Sequence, residues 1–181
     1  MNIRQTIRQK RRQLSLAERN IAQLTIYQQI FHHQAIKTAK NIAIFLSFDG
    51  EVETRPIIEF LWQQNKSVYL PIIHPFSSTH LLFLKYTSQT QLIKNNFGIL
   101  EPKLNVLNVL PYHQLDIVFT PLVAFDQRGY RMGMGGGFYD RLLANYQTQQ
   151  ILPIGLAFAC QKVQHIDNKP WDVQLPEIIY A

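Results

Sequence analysis

The residue types best suited to chemistry lie in one stretch, RGYRMGMGGGFYDR at 128–141, which holds five of the chain's eight glycines. Three glycines are consecutive, at 135–137, where the missing Cβ atoms let the backbone adopt positive φ and approach a ligand closely. Successive backbone N–H groups in such a turn can surround anionic oxygens. Arg128, Arg131 and Arg141 add positive charge. The stretch therefore predicts a phosphate site, with a glycine-rich hairpin or flexible surface loop as the alternative.

The stretch matches neither of the common phosphate loops. The string GxxxxGK[ST] is absent, and Phe138 occupies the third glycine position of the dinucleotide fingerprint. Asp140 then poses a problem, because a carboxylate beside a phosphate site repels the ligand unless a cation lies between them. A magnesium ion held by one or two carboxylates and by substrate phosphates would remove the repulsion. An acid that only complements a helix dipole is the alternative.

The surrounding elements indicate how the stretch is positioned. Apolar runs predict buried strands at 41–48, 67–73, 81–86, 115–126 and 151–159. Helical patterns and caps predict helices at 2–13, after Ser15, after Thr54 and from about Gly137 to Tyr146. This alternation is typical of a single α/β domain with a largely parallel β-sheet flanked by helices on both faces. In such sheets ligands bind beyond the carboxyl ends of the strands, and the glycine stretch follows one of them.

Two local patterns refine this expectation. In the helix after Ser15, a mostly apolar stripe at helical spacing predicts which side faces the core; it comprises Ala17, Ile21, Leu24, Gln28 and Phe31. Pro71 cannot donate a backbone hydrogen bond, which predicts that the strand at 67–73 ends early or lies near an edge.

Composition limits the classes of function. The 181 residues are 46% hydrophobic and 17% charged, as in an ordinary globular domain, and Cys160 is the only cysteine. The sequence contains no apolar run long enough to span a membrane and no secretory signal pattern, so we expect a cytoplasmic protein. The net charge of +6 suggests an anionic partner, and residues 1–19 carry six of the eighteen basic residues. That segment is interpreted as a nucleic-acid or nucleotide contact, or as a solvated helix face.

The segment from Gly129 to Arg141 closely resembles the signature of the 5-formyltetrahydrofolate cyclo-ligases, also called 5,10-methenyltetrahydrofolate synthetases. The family pattern is roughly Gly-x-Arg-Leu-Gly-x-Gly-x-Gly-Tyr-Tyr-Asp-Arg, with Met132 here for Leu and Phe138 for the first Tyr. The likeness covers nearly the whole chain. Further blocks resemble the family in order: FLSFDGEVET, VYLPIIHP, FGILEP, LDIVFTPLVAFD and PWDVQLPEII.

The resemblance implies a reaction in which ATP and 5-formyltetrahydrofolate give 5,10-methenyltetrahydrofolate, ADP and phosphate, with Mg²⁺ required. It implies a small-molecule substrate, including polyglutamylated forms, and no nucleic-acid or membrane partner; we expect a monomer. Two alternatives remain open: a nucleic-acid-binding module that uses the basic N-terminus, and a sugar-phosphate or acyl-transfer enzyme on a similar α/β scaffold.

The resemblance also assigns residues to roles. It implies catalytic roles for Arg131 and Tyr139, Mg²⁺ binding by Asp140 and Asp172, and folate contacts from Phe48, Glu53 and Arg4. It implies ATP contacts from Arg4, Arg131, Met132, Gly133, Met134, Gly135, Gly136, Gly137, Phe138 and Tyr139. From the residues alone, Glu53 could be a solvated acid, Phe48 and Tyr139 could be core residues, and Asp172 could simply form a turn.

Overall fold

The computed structural model describes residues 2–77, 79–95 and 98–181. Its α-helices are α1 (Ile3–Gln13), α2 (Leu16–His32), α3 (Gln34–Thr38), α4 (Arg55–Gln63) and α5 (Phe138–Leu143). Its strands are β1 (Asn41–Ala43), β2 (Ser67–Ile73), β3 (Leu81–Tyr86), β4 (Leu92–Lys94), β5 (Leu100–Pro102), β6 (Val109–Leu110), β7 (Ile117–Pro121), β8 (Ala124–Phe125), β9 (Arg131–Met132), β10 (Leu152–Ala157) and β11 (Glu177–Tyr180). Short 3₁₀ turns cover Val106–Asn108, Tyr112–Gln114 and Ala159–Gln161.

A seven-stranded sheet with the order β11-β10-β7-β1-β2-β3-β6 forms the centre of the fold. The five strands from β11 to β2 pair in parallel, whereas β3 and β6 add an antiparallel edge. The pairs β4–β5 and β8–β9 form separate antiparallel ribbons. The largely parallel sheet expected from the sequence is therefore confirmed.

Alternate residues of the central strands point to opposite faces of the sheet, and each face has its own core. Ile42 and Ile117 belong to a core that includes residues of α2, α3 and α4. Their neighbours Ala43 and Val118 belong to a second core on the other face, which includes Leu143 of α5. Helices therefore cover both faces, as predicted.

The capping box that begins α2 is confirmed, but the predicted buried stripe of that helix is wrong. Ser15 and Glu18 exchange hydrogen bonds as a capping box. Ile21 and Leu24 are 69% and 60% exposed, whereas Ile26 and Ile30 are fully buried. The apolar residues of α2 surround much of the helix, so their spacing alone did not indicate which side packs against the sheet.

Pro71 lies within an interior strand, contrary to the expectation of an edge or an early end. The carbonyl of Tyr69 accepts a hydrogen bond from the Ile44 amide on the β1 side. Residues two apart point their backbone groups the same way, so the nitrogen of Pro71 also faces the β1 side. Because β1 ends at Ala43, opposite Tyr69, the missing donor of Pro71 breaks no ladder bond there.

Thr54 occupies the predicted N-cap position of α4, with Pro56 in the first turn, but its hydroxyl does not cap the helix. Instead, Thr54 Oγ1 donates to the carbonyl of Phe45 at 2.7 Å and accepts from the amide of Ser47 at 3.2 Å. The chain that leaves β1 is thereby tied to the start of α4. This contact fixes the turn between them, which forms one wall of the site described below.

The basic helix α1 docks on the turn that follows β1, through a single carboxylate. Asp49 accepts from Arg8 Nε at 2.6 Å, from Arg12 Nε at 2.6 Å and from Arg11 Nη2 at 3.2 Å. The side chains of Asp49 and Arg11 are only 6% and 1% exposed. Although burial acts to raise it, the arginine contacts hold the pKa of Asp49 below its usual value. These arginines contact Asp49 within the protein, which weakens the interpretation of α1 as a nucleic-acid contact.

Among the described residues, no helix combines the length and the apolar character that crossing a bilayer requires.

Replacing Asp49 by Asn should destabilise the protein strongly, because it leaves the buried Arg11 without a full counter-charge. We expect Asp49→Asn to lower the free energy of unfolding by about 3 kcal/mol, measured by urea denaturation. Glu59→Gln is the matched control, since Glu59 makes an exposed ion pair with Arg55 on α4. It should cost less than about 0.5 kcal/mol. Equal effects of the two variants would show that the buried cluster contributes nothing special.

Candidate active site

A cavity of about 1450 Å³ opens where several parallel strands end. Its walls include Phe45, which follows β1, Ile73 at the end of β2, and Pro121 at the end of β7. The carboxyl ends of parallel strands are the usual ligand-binding edge of an α/β sheet. This cavity therefore lies where the fold predicts a site.

Nearly all residues singled out in the sequence line this cavity. The lining set includes Arg4, Phe48, Arg131, Met132, Gly133, Met134, Gly135, Gly136, Gly137, Phe138, Tyr139, Asp140 and Asp172. Glu53 and Arg128 are the exceptions, and Glu51 lines the wall in place of Glu53. The structure thus brings together groups from α1, the turn after β1, the glycine stretch and the segment before β11.

The glycine loop, residues 133–137, follows the β8–β9 ribbon rather than β7 directly. Gly135 has φ +107° and Gly137 has φ +64°. Residues that carry a side chain rarely adopt these backbone conformations. A Cβ atom on Gly133 or Gly135 would meet nothing within 4 Å. Within the described chain, the N–H groups of the loop donate no hydrogen bond to protein. The loop therefore presents unpaired donors beside open space.

Two arginines hold the loop through its carbonyl oxygens. Arg4 Nε donates to Gly133 O at 2.9 Å, and an Arg141 Nη2 group donates to Gly136 O. Arg128 was expected beside the phosphate site, but it lies elsewhere. Its guanidinium pairs with the buried Asp126 at 2.7 Å and does not line the cavity. Any contribution of a helix dipole to phosphate binding is small, because α5 has only six residues.

Arg131 is a buried arginine in the cavity wall. Its Nη1 donates to the carbonyl of Val173 at 2.8 Å, and its Nη2 lies 3.0 Å from Asp140 Oδ1. Burial lowers the pKa of Arg131, while the neighbouring Asp140 acts to raise it. Burial also raises the pKa of the Tyr139 hydroxyl, and the charge of Glu51 adds to the effect. Tyr139 therefore keeps its proton at neutral pH and can donate it in a hydrogen bond.

The two predicted metal ligands lie in the same cavity wall. Asp140 Oδ1 accepts from the amide of Val173 at 3.1 Å, and Asp172 Oδ2 accepts from the amide of Lys169 at 2.7 Å. No cluster of three or more metal-binding side chains occurs in residues 2–77, 79–95 and 98–181. Mg²⁺ fits such a site only with nucleotide phosphates and water as its other ligands, which is its common mode of binding in nucleotide enzymes.

Glu51, which the sequence analysis did not select, presents a carboxylate to the cavity. Its Oε2 accepts from the Phe48 amide at 3.0 Å, and its Oε1 lies 3.9 Å from Arg11 Nη1. Burial raises the pKa of Glu51 to about 7, although Arg11 opposes the change. Asp49 and Gly50 both have positive φ. They form a turn that places Glu51 in the cavity wall.

The carboxylate of Glu53 makes its hydrogen bonds outside the cavity. Its Oε1 accepts from Ser47 Oγ at 2.9 Å and from the Arg55 amide at 3.1 Å. The prediction that Glu53 contacts substrate does not agree with this position outside the cavity. The Asp-Gly pair is a turn signal visible in the sequence, and it could have drawn attention to Glu51, the residue directly after it.

Comparisons with known proteins agree with the fold and show the family. The model of the 5-formyltetrahydrofolate cyclo-ligase family matches residues 1–181. The chain is 50% identical to the 5-formyltetrahydrofolate cyclo-ligase of Haemophilus influenzae, over 98% of this chain and 95% of that protein. It is 46% identical to the Escherichia coli K12 cyclo-ligase, over 96% and 95% of the two chains.

Two solved structures are similar throughout. One is a 5,10-methenyltetrahydrofolate synthetase from Mycoplasma pneumoniae, with a TM-score of 0.77 and 30% identity over 98% of this chain and 95% of that one. The other is the Aquifex aeolicus 5,10-methenyltetrahydrofolate synthetase, with a TM-score of 0.82 and 26% identity over 98% and 87%. With a family model that spans its whole length and relatives at this level of identity, the chain belongs to the 5-formyltetrahydrofolate cyclo-ligase family and is a ligase of folate metabolism.

Proposed function

We propose that this ligase converts 5-formyltetrahydrofolate to 5,10-methenyltetrahydrofolate with consumption of ATP. The observation that carries the proposal, beside family membership, is the glycine loop with unpaired N–H donors in the large cavity. The cavity of about 1450 Å³ exceeds the range of roughly 300–1,000 Å³ typical of sites for one small molecule. It is therefore large enough for a nucleotide and a folate together.

The chemistry needs activation because a formamide oxygen is a poor leaving group. In the proposed reaction the formyl oxygen attacks the γ-phosphorus of ATP, and ADP leaves. N10 of the folate then adds to the formyl carbon and loses its proton. The carbon–oxygen bond breaks with release of phosphate, and the former formyl carbon bridges N5 and N10. Such transfers depend chiefly on positioning and on charge stabilisation by the protein.

The glycine loop and the arginines supply the phosphate contacts in this proposal. The loop N–H groups bind the phosphate oxygens, and Arg4 lies beside them because it is bonded to Gly133 O. Arg131 is held by the Val173 carbonyl and by Asp140, so its charge is fixed in the cavity wall. Preorganised charge of this kind stabilises the phosphoryl group in transit. Tyr139, which keeps its proton, donates to an oxygen of the reacting groups.

Asp140 and Asp172 are the residues that would hold Mg²⁺, since both carboxylates line the wall next to the loop. When bound, the ion would neutralise phosphate charge. Each of the two carboxylates has few partners within the protein. Asp140 contacts Arg131 and a backbone amide, and Asp172 contacts a backbone amide. These contacts keep the side chains oriented while they leave carboxylate oxygens for a metal.

The folate end of the cavity is formed by the turn after β1. Glu51 can accept hydrogen bonds from the N–H edge of the pterin, and the half-exposed ring of Phe48 offers a flat apolar wall. The folate role first assigned to Glu53 is therefore proposed for Glu51. The expected monomeric state, cytoplasmic location and acceptance of polyglutamylated substrate remain predictions.

Incubation of the protein with Mg²⁺, ATP and 5-formyltetrahydrofolate should give methenyl product, followed by its absorbance, with one ADP formed per product. Phosphate binding without ATP consumption would instead favour the sugar-phosphate or acyl-transfer alternative. A folded protein that makes no product would refute the proposal.

Asp140→Asn should raise the Mg²⁺ concentration for half-maximal rate at least tenfold, because the amide loses the charge that attracts the ion. Asn can still accept from the Val173 amide, but the buried Arg131 loses its counter-charge, so the free energy of unfolding is measured beside the rate and the metal dependence is compared only for folded protein. Asp167→Asn is the matched control: Asp167 lines the same cavity but is 98% exposed and has no assigned role. An unchanged Mg²⁺ dependence in Asp140→Asn would show that the metal assignment is wrong.

Gly133→Ala should separate ligand binding from stability. The added Cβ meets nothing within 4 Å in the protein, and Gly133 does not need positive φ. The free energy of unfolding should therefore change by less than about 0.5 kcal/mol. If phosphates approach the loop closely, the methyl group should raise the KM for ATP at least tenfold and leave the KM for the folate unchanged. An unaltered KM for ATP would place the phosphates elsewhere.

The raised pKa of Glu51 predicts a pH dependence. Below about pH 7 the free enzyme carries a protonated Glu51, which accepts pterin N–H groups poorly. We expect kcat/KM for 5-formyltetrahydrofolate to rise about tenfold from pH 6 to pH 8. Glu51→Gln should flatten this profile, whereas Glu53→Gln should retain it because Glu53 lies outside the cavity. A profile that depends on Glu53 instead would return the assignment to that residue.

A further inference from the structure

Trp171 is a large aromatic side chain that the fold leaves exposed in a cavity wall. It is 70% exposed, compared with 41% for Phe48 in the same cavity. Within the described residues it joins none of the buried hydrophobic clusters and stacks on no other ring. An indole that packs against nothing, yet faces a ligand cavity, is suited to stack on a flat ligand group.

The backbone around Trp171 is fixed although its side chain is exposed. The Asp172 amide donates to Lys169 O at 3.0 Å, and the Asp172 carboxylate accepts from the Lys169 amide. These bonds close a turn with Pro170 at its second position and Trp171 at its third. Pro170 restricts the backbone further. The indole is thus carried by a rigid turn.

The whole segment 166–173 is anchored on both sides of that turn. Ile166 N donates to Asp126 Oδ2 at 3.1 Å, and Ile166 O accepts from Arg128 at 2.8 Å. At the other end, Val173 bonds to Arg131 and Asp140 through its carbonyl and amide. Arg128, which does not serve the phosphate site, therefore positions the start of this segment.

The contacts of this segment identify which end of the cavity it borders. Arg4 contacts the glycine loop, and Arg11 contacts Asp49 and lies near Glu51. The two arginines are seven positions apart on the helix, which corresponds to about 10 Å along its axis. Ile166 packs in one cluster with Ile7 and with residues next to the glycine loop. Val173, at the end of the segment, bonds to Arg131 and Asp140, which lie on either side of the glycine loop in the sequence. The segment therefore borders the phosphate end of the cavity.

We infer that Trp171 is the stacking platform for the adenine ring of the nucleotide. The inference rests on the proposed function, which places the triphosphate on the glycine loop. A base joined through its ribose to those phosphates must lie near them, and Trp171 is adjacent in sequence to Asp172. Stacking of a base on an aromatic side chain is sequence-tolerant and strong enough to anchor one end of a nucleotide.

Removal of the indole should weaken nucleotide binding without changing binding of the phosphates themselves. By calorimetry, Trp171→Ala should raise the Kd of Mg-ADP about tenfold and change the Kd of inorganic tripolyphosphate, which has no base, by less than twofold. Trp171→Phe should restore most of the ADP affinity. The Kd of 5-formyltetrahydrofolate should be unaffected by either substitution.

The second tryptophan provides a spectroscopic control. Trp62 lies on α4, where its Nε1 donates to Tyr86 O at 3.0 Å, and it does not line the cavity. Mg-ADP should change the indole fluorescence of Trp62→Phe as it does that of the unaltered protein, and it should not change that of Trp171→Phe.

Three results would overturn the inference while the unaltered protein still makes product: an unchanged Kd for ADP in Trp171→Ala, an equal loss for tripolyphosphate, or a loss confined to the folate. Absence of product from the unaltered protein would instead refute the proposed function.

Discussion

The contact between one buried carboxylate and the arginines of α1 sets the geometry of the whole site. Asp49 binds Arg8, Arg11 and Arg12, and α1 in turn holds the glycine loop through Arg4. Breaking such a buried ion pair is costly, because the remaining charge then has neither water nor a counter-charge. The helix, the turn that carries Glu51 and the glycine loop are therefore joined through one electrostatic cluster. A basic segment that would suggest nucleic-acid binding in isolation is a structural support for a small-molecule cavity.

The glycine loop shows an asymmetry that favours anions. Three of its five carbonyl oxygens accept hydrogen bonds, Gly133 O from Arg4, Gly136 O from the Arg141 side chain and Gly137 O from the Arg141 amide. Its N–H groups, within the described chain, have no protein partner. Backbone donors are rarely left unpaired without water or a ligand. A loop with bound acceptors and unpaired donors is therefore suited to phosphate oxygens and unsuited to cations.

The sequence predicted the parts of the fold that repeat a pattern and missed those that depend on neighbours. Apolar runs and caps located the parallel strands and α2, and the glycine stretch with its aspartates lies in one cavity wall. The face of α2 that packs was wrong because its apolar residues surround the helix. Pro71 is tolerated only because β1 ends beside it. Glu51 and Glu53 are only two residues apart, and their different positions show in their contacts: Glu51 accepts from the Phe48 amide in the cavity wall, whereas Glu53 accepts from Ser47 and from the Arg55 amide.

Charge balance explains why acids occur in a site built for phosphates. Four basic residues line the cavity, Arg4, Arg131, Arg141 and Lys169, and so do five acids, Glu51, Glu101, Asp140, Asp167 and Asp172. The lining residues therefore supply no net positive charge to neutralise a triphosphate. A divalent cation held by Asp140 and Asp172 changes their effect from repulsion to attraction, and Arg131 stays in place because Asp140 and Val173 hold it. Under the proposed function, these two carboxylates would favour the complete ATP–metal complex over ATP alone.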